Sequence, residues 1–189
     1  NGYIEQSARS ERYRLGTGCL ELGRSFARGN SLLRSARPIL EELSRSLGET
    51  AHIASLRGGE VIHLDAEVPG QLITTASRVG LRLPAQNTAI GKVLLAGLDA
   101  QAREEFVSGL VKDHRMAALT PNSITDPHKF VEHLSSVALQ GFAVDMEECE
   151  AGLRCVAAPV LNDGGKVVAA ISVSGPAFRL SEDHLLGAV

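Results

Sequence analysis

The segment GLRCVAAPVLNDGGKVVAAISVSGP, residues 152–176, constrains the fold more than any other stretch of the chain. Two runs of small and β-branched apolar residues flank Asn162-Asp163-Gly164-Gly165, a pattern that predicts an antiparallel hairpin. Side chains alternate between the two faces of a strand, so the loop length decides which residues share a face. A two-residue turn at Asp163-Gly164, or a four-residue NDGG loop, sets Cys155 opposite Ser172. A turn at Gly164-Gly165 sets it opposite Ser174. Each even loop gathers Cys155, Ser172 and Ser174 on one face and leaves Ile171 and Val173 on the other, whereas a three- or five-residue loop breaks the cluster. Asp-Gly and Gly-Gly favour even loops. A face of small polar residues backed by a branched apolar face has the character of a cavity floor.

Such a hairpin needs partners, and the chain from Glu49 onward alternates strand and helix patterns. TAHIASL and EVIHLDAE flank Arg57-Gly58-Gly59-Glu60, a two-residue hairpin turn. If Arg57 pairs with Glu60, Ile53 lies opposite Leu64, and His52 shares the other face with Asp65. QLITTASRVG (71–80) reads as a further strand. In LPAQNTAIGKVLLAGL, Asn87 or Thr88 can cap a helix through Val93-Leu94-Leu95-Ala96. A less regular stretch follows. Asp126 and Pro127 then open a strong helix with Phe130, Leu134, Val137 and Ala138 as its buried stripe, ended by Gly141. Phe142-Ala143-Val144-Asp145-Met146 is a short strand, followed by the polar turn EECEAG.

Upstream the patterns are helical. Leu15, Cys19, Leu22 and Phe26 fall on one helix face, weakened by Gly16, Gly18 and Gly23. Asn30 or Ser31 can cap a second helix with the stripe Leu32, Ala36, Ile39 or Leu40, Leu43 and Leu47, stopped by Gly48. Pro38 predicts a kink or break near Arg37. Before these, Tyr3-Ile4 and Tyr13-Arg14-Leu15 flank a polar turn as in a hairpin, which is expected to be the end of something longer.

Composition narrows the function classes. With 44% apolar and 22% charged residues, the chain has the make-up of a soluble globular domain, and its net charge of −3 gives no electrostatic footprint for nucleic acid. Aromatic residues amount to 4% with no Trp, so the core must rest on Leu, Val, Ile and Ala. No apolar run has the length of a membrane span, no signal peptide opens the chain, and the cysteines at 19, 149 and 155 are too unevenly placed for a disulfide framework. A cytoplasmic protein with reduced thiols is expected.

Chemical motifs are sparse. Ala89-Ile90-Gly91-Lys92 suggests a phosphate loop, but Gln86 and Val93 stand where it needs Gly and Ser or Thr. The helix start still offers N–H groups to an anion at Ala89 and Ile90, unless Asn87 or Thr88 simply caps it. Cys149 and Cys155 are six apart and His128 and His133 five apart, which is no metal-ligand spacing. No Gly-x-Ser-x-Gly elbow occurs. Cys155 has no base near it in sequence, so it reads as a structural thiol rather than a nucleophile. The acidic run Asp145, Glu147, Glu148, Glu150 reads as a solvated turn, except that Asp145 falls in the strand pattern and can face the cavity.

The order YRLG (13–16), ARP (36–38), GET (48–50), VGLRLP (79–84), TAIGKVLLA (88–96), SITD (123–126), GFAVDMEE (141–148), GLRCVAAPV (152–160) and ISVSGP (171–176) resembles the IclR family of bacterial transcription regulators over nearly the whole chain. The resemblance implies an α+β fold: a GAF-like effector-binding domain, with a central, mostly antiparallel sheet flanked by helices. It implies three segments: residues 1–15 as a remnant of the wing of a winged helix-turn-helix, 16–48 as linker and dimerisation helices, and 49–189 as the effector domain. The effector site it implies comprises Ala89, Ile90, Asp145, Cys155, Ser172 and Ser174, with Leu72, Ile73 and Leu83 as apolar wall. It has neither metal nor cofactor and takes a small carboxylate or an aromatic-catabolism metabolite. DNA would be bound through the N-terminal winged helix-turn-helix, in a homodimer or homotetramer. The alternatives are a GAF-type thiol enzyme using Cys155, or an oligomerisation module with its cavity filled.

Overall fold

A computed structural model of the chain describes residues 2–7 and 9–187, with Leu186 described by its backbone alone; of the expected segments, Asn1, Ala8, Ala188 and Val189 lie outside the described residues. The chain falls into two compact units, residues 1–39 and 40–189.

In the first unit, β1 (Ile4–Gln6) and β2 (Tyr13–Leu15) form the expected hairpin, with Ile4 opposite Leu15. Helix α1 (Gly18–Gly29) follows, and its apolar residues Leu22 and Phe26 are exposed. Helix α2 (Ser31–Leu47) begins in this unit and ends in the next. Asn30 Oδ1 caps it by accepting from the N–H groups of Leu32 (3.0 Å) and Leu33 (3.4 Å). Its buried stripe is Leu33, Ala36, Leu40 and Ser44, with Ile39 exposed, so the face is turned by one residue from the one read off the sequence. Pro38 neither ends nor interrupts the helix. Pro38 and Arg34 both lie on the exposed side, where solvent can take up the carbonyl that the missing N–H leaves unbonded.

The second unit is built on a six-stranded, wholly antiparallel sheet: β3 (Thr50–Arg57), β4 (Glu60–Glu67), β5 (Arg82–Pro84), β6 (Ala143–Met146), β7 (Leu153–Leu161) and β8 (Val167–Pro176), in the order β5-β4-β3-β8-β7-β6. Gly58 and Gly59 take φ of 61° and 82°, the two positive values that a tight hairpin turn demands, and Arg57 pairs with Glu60 as expected. Beyond that the register differs from the expected one. A bulge at Leu64 sets Ile53 opposite Asp65 and Ala54 opposite His63, so Asp65 turns to the face away from His52.

The segment 71–80 is not a strand. Two of its carbonyls are taken by side chains instead: Thr50 Oγ1 donates to Thr75 O (2.6 Å) and Arg179 Nη2 to Ile73 O (2.8 Å). The stretch that lacked a clear pattern holds a helix, α4 (Ala100–Lys112), capped by Asp99, which accepts from Ala102 N at 2.8 Å. Its buried stripe is only Val107 and Leu110, too thin for periodicity to reveal.

Helix α3 (Ala89–Ala96) lies between the sheet and α5 (Pro127–Gln140), which explains why AIGKVLLA is apolar all round. The sheet meets α3 with Ala54, Ala143, Ala157 and Ala170, small residues that let the helix come close, while α5 covers it with Phe130, Leu134 and Val137. Ala138 is exposed, one position beyond that stripe. Each fully buried Leu, Ile or Phe here contributes about 1.5–3 kcal/mol. A short α6 (Glu182–Leu186) is the last element among the described residues.

The β7–β8 connection joins Leu161 to Val167 through a five-residue loop, the odd length that breaks the polar cluster. A bulge at Val168 adds a second odd step and restores the parity. Cys155 therefore lies opposite Ser174, in the register of a Gly164-Gly165 turn but by a different route.

Candidate functional site

The sheet lays the polar residues in two rows. Asp145, Cys155, Ser174 and Thr50 stand side by side across β6, β7, β8 and β3; Ala143, Ala157, Ser172 and His52 form the next row on the same face. The start of α3 closes over this face. Between them lies a small cavity that opens to solvent, lined by Ala89, Ile90, Asp145, Cys155, Ser172, Ser174 and Leu83 among others. Leu72 and Ile73 fall outside it. They are exposed, because the irregular 71–80 backbone does not alternate them inward.

Thr88 caps α3 by accepting the Gly91 N–H at 3.1 Å. The cap leaves the N–H groups of Ala89 and Ile90, which cannot bond within the helix, at the cavity wall. Both the cap and the anion-receptive start are therefore present in one helix end. Opposite, Asp145 is almost fully buried. Its Oδ1 accepts from Glu148 N (2.7 Å) and Cys149 N (3.4 Å), in a turn where Glu147 takes a φ of 67°. Burial pushes its carboxyl up to about 6, against the pull of the Glu148 N–H and of Lys92. Burial, with the charge of Asp145 beside it, likewise holds the Cys155 thiol above its usual range.

The acidic run is not a solvated turn. Glu148 is buried and pairs with Lys92, the wholly buried lysine of α3, while Glu147 accepts from Gly152 N and Arg154. Thr120 and Ser123 donate to the carbonyls of Glu147 (2.7 Å) and Glu148 (2.8 Å), fastening the turn from the α4–α5 connection.

The structure adds lining residues that the sequence reading did not include: His52, His63, Arg78, Thr88, Cys149 and Leu153. The rings of His52 and His63 meet edge to face, with centroids 5.2 Å apart. Burial above all lowers the pKa of His52 to about 3 and that of His63 to about 4, with Arg78 adding to both and His63 adding to the shift of His52. Arg78 reaches the mouth from the 71–80 segment and binds Glu150 of the opposite turn at 2.7 Å. The parity of His52 was visible, but its place beside Ser172 rests on the distant β3–β8 pairing, which nothing local encodes.

Three comparisons with known proteins bear on this site. The family model described as "Bacterial transcriptional regulator IclR C-terminal" matches residues 25–189. The HTH-type transcriptional regulator XynR of Escherichia coli (strain K12) is 36% identical over 186 residues, covering 98% of this chain and 72% of that protein. The solved structure of a transcriptional regulator from Rhodococcus sp. RHA1 superposes with a TM-score of 0.87 at 32% identity, covering 99% of this chain and 74% of that one. The inducer-binding domain of the PobR transcription factor from Acinetobacter, solved as a double mutant in complex with 3-hydroxybenzoic acid, gives a TM-score of 0.71 at 32% identity, over 80% of this chain and 86% of that one.

Proposed function

Since the chain belongs to the IclR family of bacterial transcriptional regulators and carries the family's C-terminal domain, we propose that its cavity is a sensor for a small organic acid. The observation that carries this is the row Asp145–Cys155–Ser174 lying beneath the start of α3. The acid's carboxylate sits against the N–H groups of Ala89 and Ile90 and the hydroxyls of Ser172 and Ser174, where charge-assisted hydrogen bonds each contribute about 1.5–3 kcal/mol. Asp145 accepts from a hydroxyl or hydrated carbonyl next to that carboxylate. Cys155 is a polarizable wall and Leu83 an apolar one. That the PobR domain holds 3-hydroxybenzoic acid supports an acid of this size.

In a cytoplasmic homodimer or homotetramer, with residues 1–15 closing a DNA-binding head and 16–48 linking it to the sensor, the acid favours one of two arrangements of the heads. It does so only through different affinities for the two. The site is not catalytic: a nucleophilic cysteine needs a lowered pKa, and burial raises that of Cys155. Neither nitrogen of His52 bonds it as a base. No helix among the described residues is long and apolar enough to cross a membrane.

Calorimetric titration of two- to six-carbon acids and hydroxybenzoates tests the proposal. At least one acid is expected to bind the wild type tenfold or more tightly than Ser172→Ala/Ser174→Ala; equal binding to both, or none to either, overturns it.

A further inference from the structure

The cavity holds more polar machinery than a carboxylate and its neighbouring hydroxyl can use. We propose that His52 and His63 form a second polar pole, which binds a hydroxyl group of the effector remote from its carboxylate. This rests on the acid-sensor reading above and adds a chemical class to it: an acid hydroxylated at its far end.

The observation is an unmade set of hydrogen bonds. His52 is 1% exposed and lines the cavity, yet neither its Nδ1 nor its Nε2 has a hydrogen-bond partner of normal geometry, and His63 Nδ1 has none either; the backbone of Ala76 and of Leu81 gives the two rings only a weak polar contact each. The edge-to-face contact of the rings is not an N–H···N bond, so the pair does not satisfy itself. A buried polar group left unpaired is costly, and these face the cavity beneath α3.

The kind of ligand group follows from charge. Burial keeps both rings neutral at pH 7, and a neutral imidazole presents one N–H donor and one ring-nitrogen acceptor. A hydroxyl is a single group that both donates and accepts. A second carboxylate suits the pole poorly. Of the charged and titratable groups around it, Asp145 of β6 is an anion in the same cavity, and the thiols of Cys155 and Cys149 stay protonated. The cation Arg78 is already bound to Glu150 at 2.7 Å.

Spacing sets the length. His52 lies one strand from Ser172, and His63 belongs to the next strand out. The second pole thus stands one to two strand spacings, roughly 5–10 Å, from the serines. A hydroxyl three or more atoms from the carboxyl carbon meets that requirement, and a hydroxyl on the adjacent carbon does not.

Matched acids that differ only in that hydroxyl provide the test: benzoate against 3- and 4-hydroxybenzoate, and butanoate against 4-hydroxybutanoate, titrated calorimetrically into the chain at pH 7.4. In at least one pair the hydroxylated acid is expected to bind tenfold or more tightly, and His52→Phe is expected to cut that preference below threefold. Ser172→Ala/Ser174→Ala is expected to weaken both members of the pair alike. Repeating the titration in two buffers of different ionisation heat is expected to show no net proton uptake. Equal binding within every pair, a preference undiminished in His52→Phe, or uptake of close to one proton per ligand each overturns the second pole while leaving the acid sensor standing. Binding of no acid at all overturns both. Should His52→Phe fail to fold, the wild-type pairs and the proton count decide alone.

Discussion

Lys92 and Glu148 stand 56 residues apart in sequence and form an ion pair in the interior, Nζ donating to Oε1, with the lysine wholly buried. The backbone N–H of Glu148 donates in turn to Asp145, so the pair ties helix α3 to the turn that presents the aspartate. Removing one partner strands the other charge. Lys92→Met is therefore expected to destabilise the domain by about 3–5 kcal/mol, and Lys92→Met with Glu148→Leu to recover most of that loss. Urea unfolding of the two variants checks it; a single variant as stable as the wild type would sink the expectation.

Stability should fall in acid, and the histidines set the direction. His52 has a pKa of about 3 in the fold and 6.5 when exposed, and His63 about 4, so below pH 6.5 the unfolded chain takes up protons that the folded one refuses. Asp145 works the other way. Its value of about 6, against 3.8 when exposed, makes the folded state hold an extra proton between those pH values, so its share of stability rises as pH falls. At about 1.4 kcal/mol per pKa unit, the two histidines outweigh the one carboxyl. Unfolding free energies measured from pH 7 to 4.5 are expected to drop by a few kcal/mol. The drop should be shallower in His52→Phe and steeper in Asp145→Asn.

Cys155 should be chemically quiet. Its thiol is held protonated by burial and by Asp145, and alkylation requires the thiolate. Iodoacetamide at pH 7.4 is expected to modify it at least 100-fold more slowly than free cysteine, with normal reactivity returning in denaturant. Peptide mapping by mass spectrometry reads this directly, and rapid labelling of the native thiol would revive the enzymatic alternative.

Gly91 meets the turn that precedes its own helix. A Cβ there would land on the carbonyl and Cα of Ala85, backbone atoms that cannot swing aside. Gly91→Ala is expected to destabilise the domain by about 1–3 kcal/mol through overpacking, read as a lowered thermal midpoint. A methyl accepted without loss would mean that the start of α3 is looser than drawn.

Local chemistry made part of this site legible. Asp145 announced itself as a charge inside an apolar strand pattern, and Cys155, Ser172 and Ser174 as polar residues of matching parity. The start of α3 follows from Asn87 or Thr88 before an apolar run, and the fold gives the cap to Thr88. The remainder depends on pairings between distant segments. His52 enters the site because Thr50 meets Ser174, a contact that no spacing near residue 50 encodes. The β-branched run of 71–80 looked like a strand, yet Thr50 and Arg179 claim two of its carbonyls from elsewhere in the fold. Glu148 reads as part of a solvated turn and Lys92 as part of a failed phosphate-loop match, and only the fold brings the two together.

The five-residue loop and the Val168 bulge between β7 and β8 also bear on how this hairpin can change length. Each contributes one odd step, and only their sum keeps Cys155 facing the same side as Ser172 and Ser174. A single-residue deletion in the loop, or an insertion that irons out the bulge, would rotate one strand by half a turn and exchange the cavity floor for the opposite face. Two such events together would pass unnoticed. Length variation here should therefore arrive in compensating pairs, much as a second frameshift restores a message that the first has scrambled.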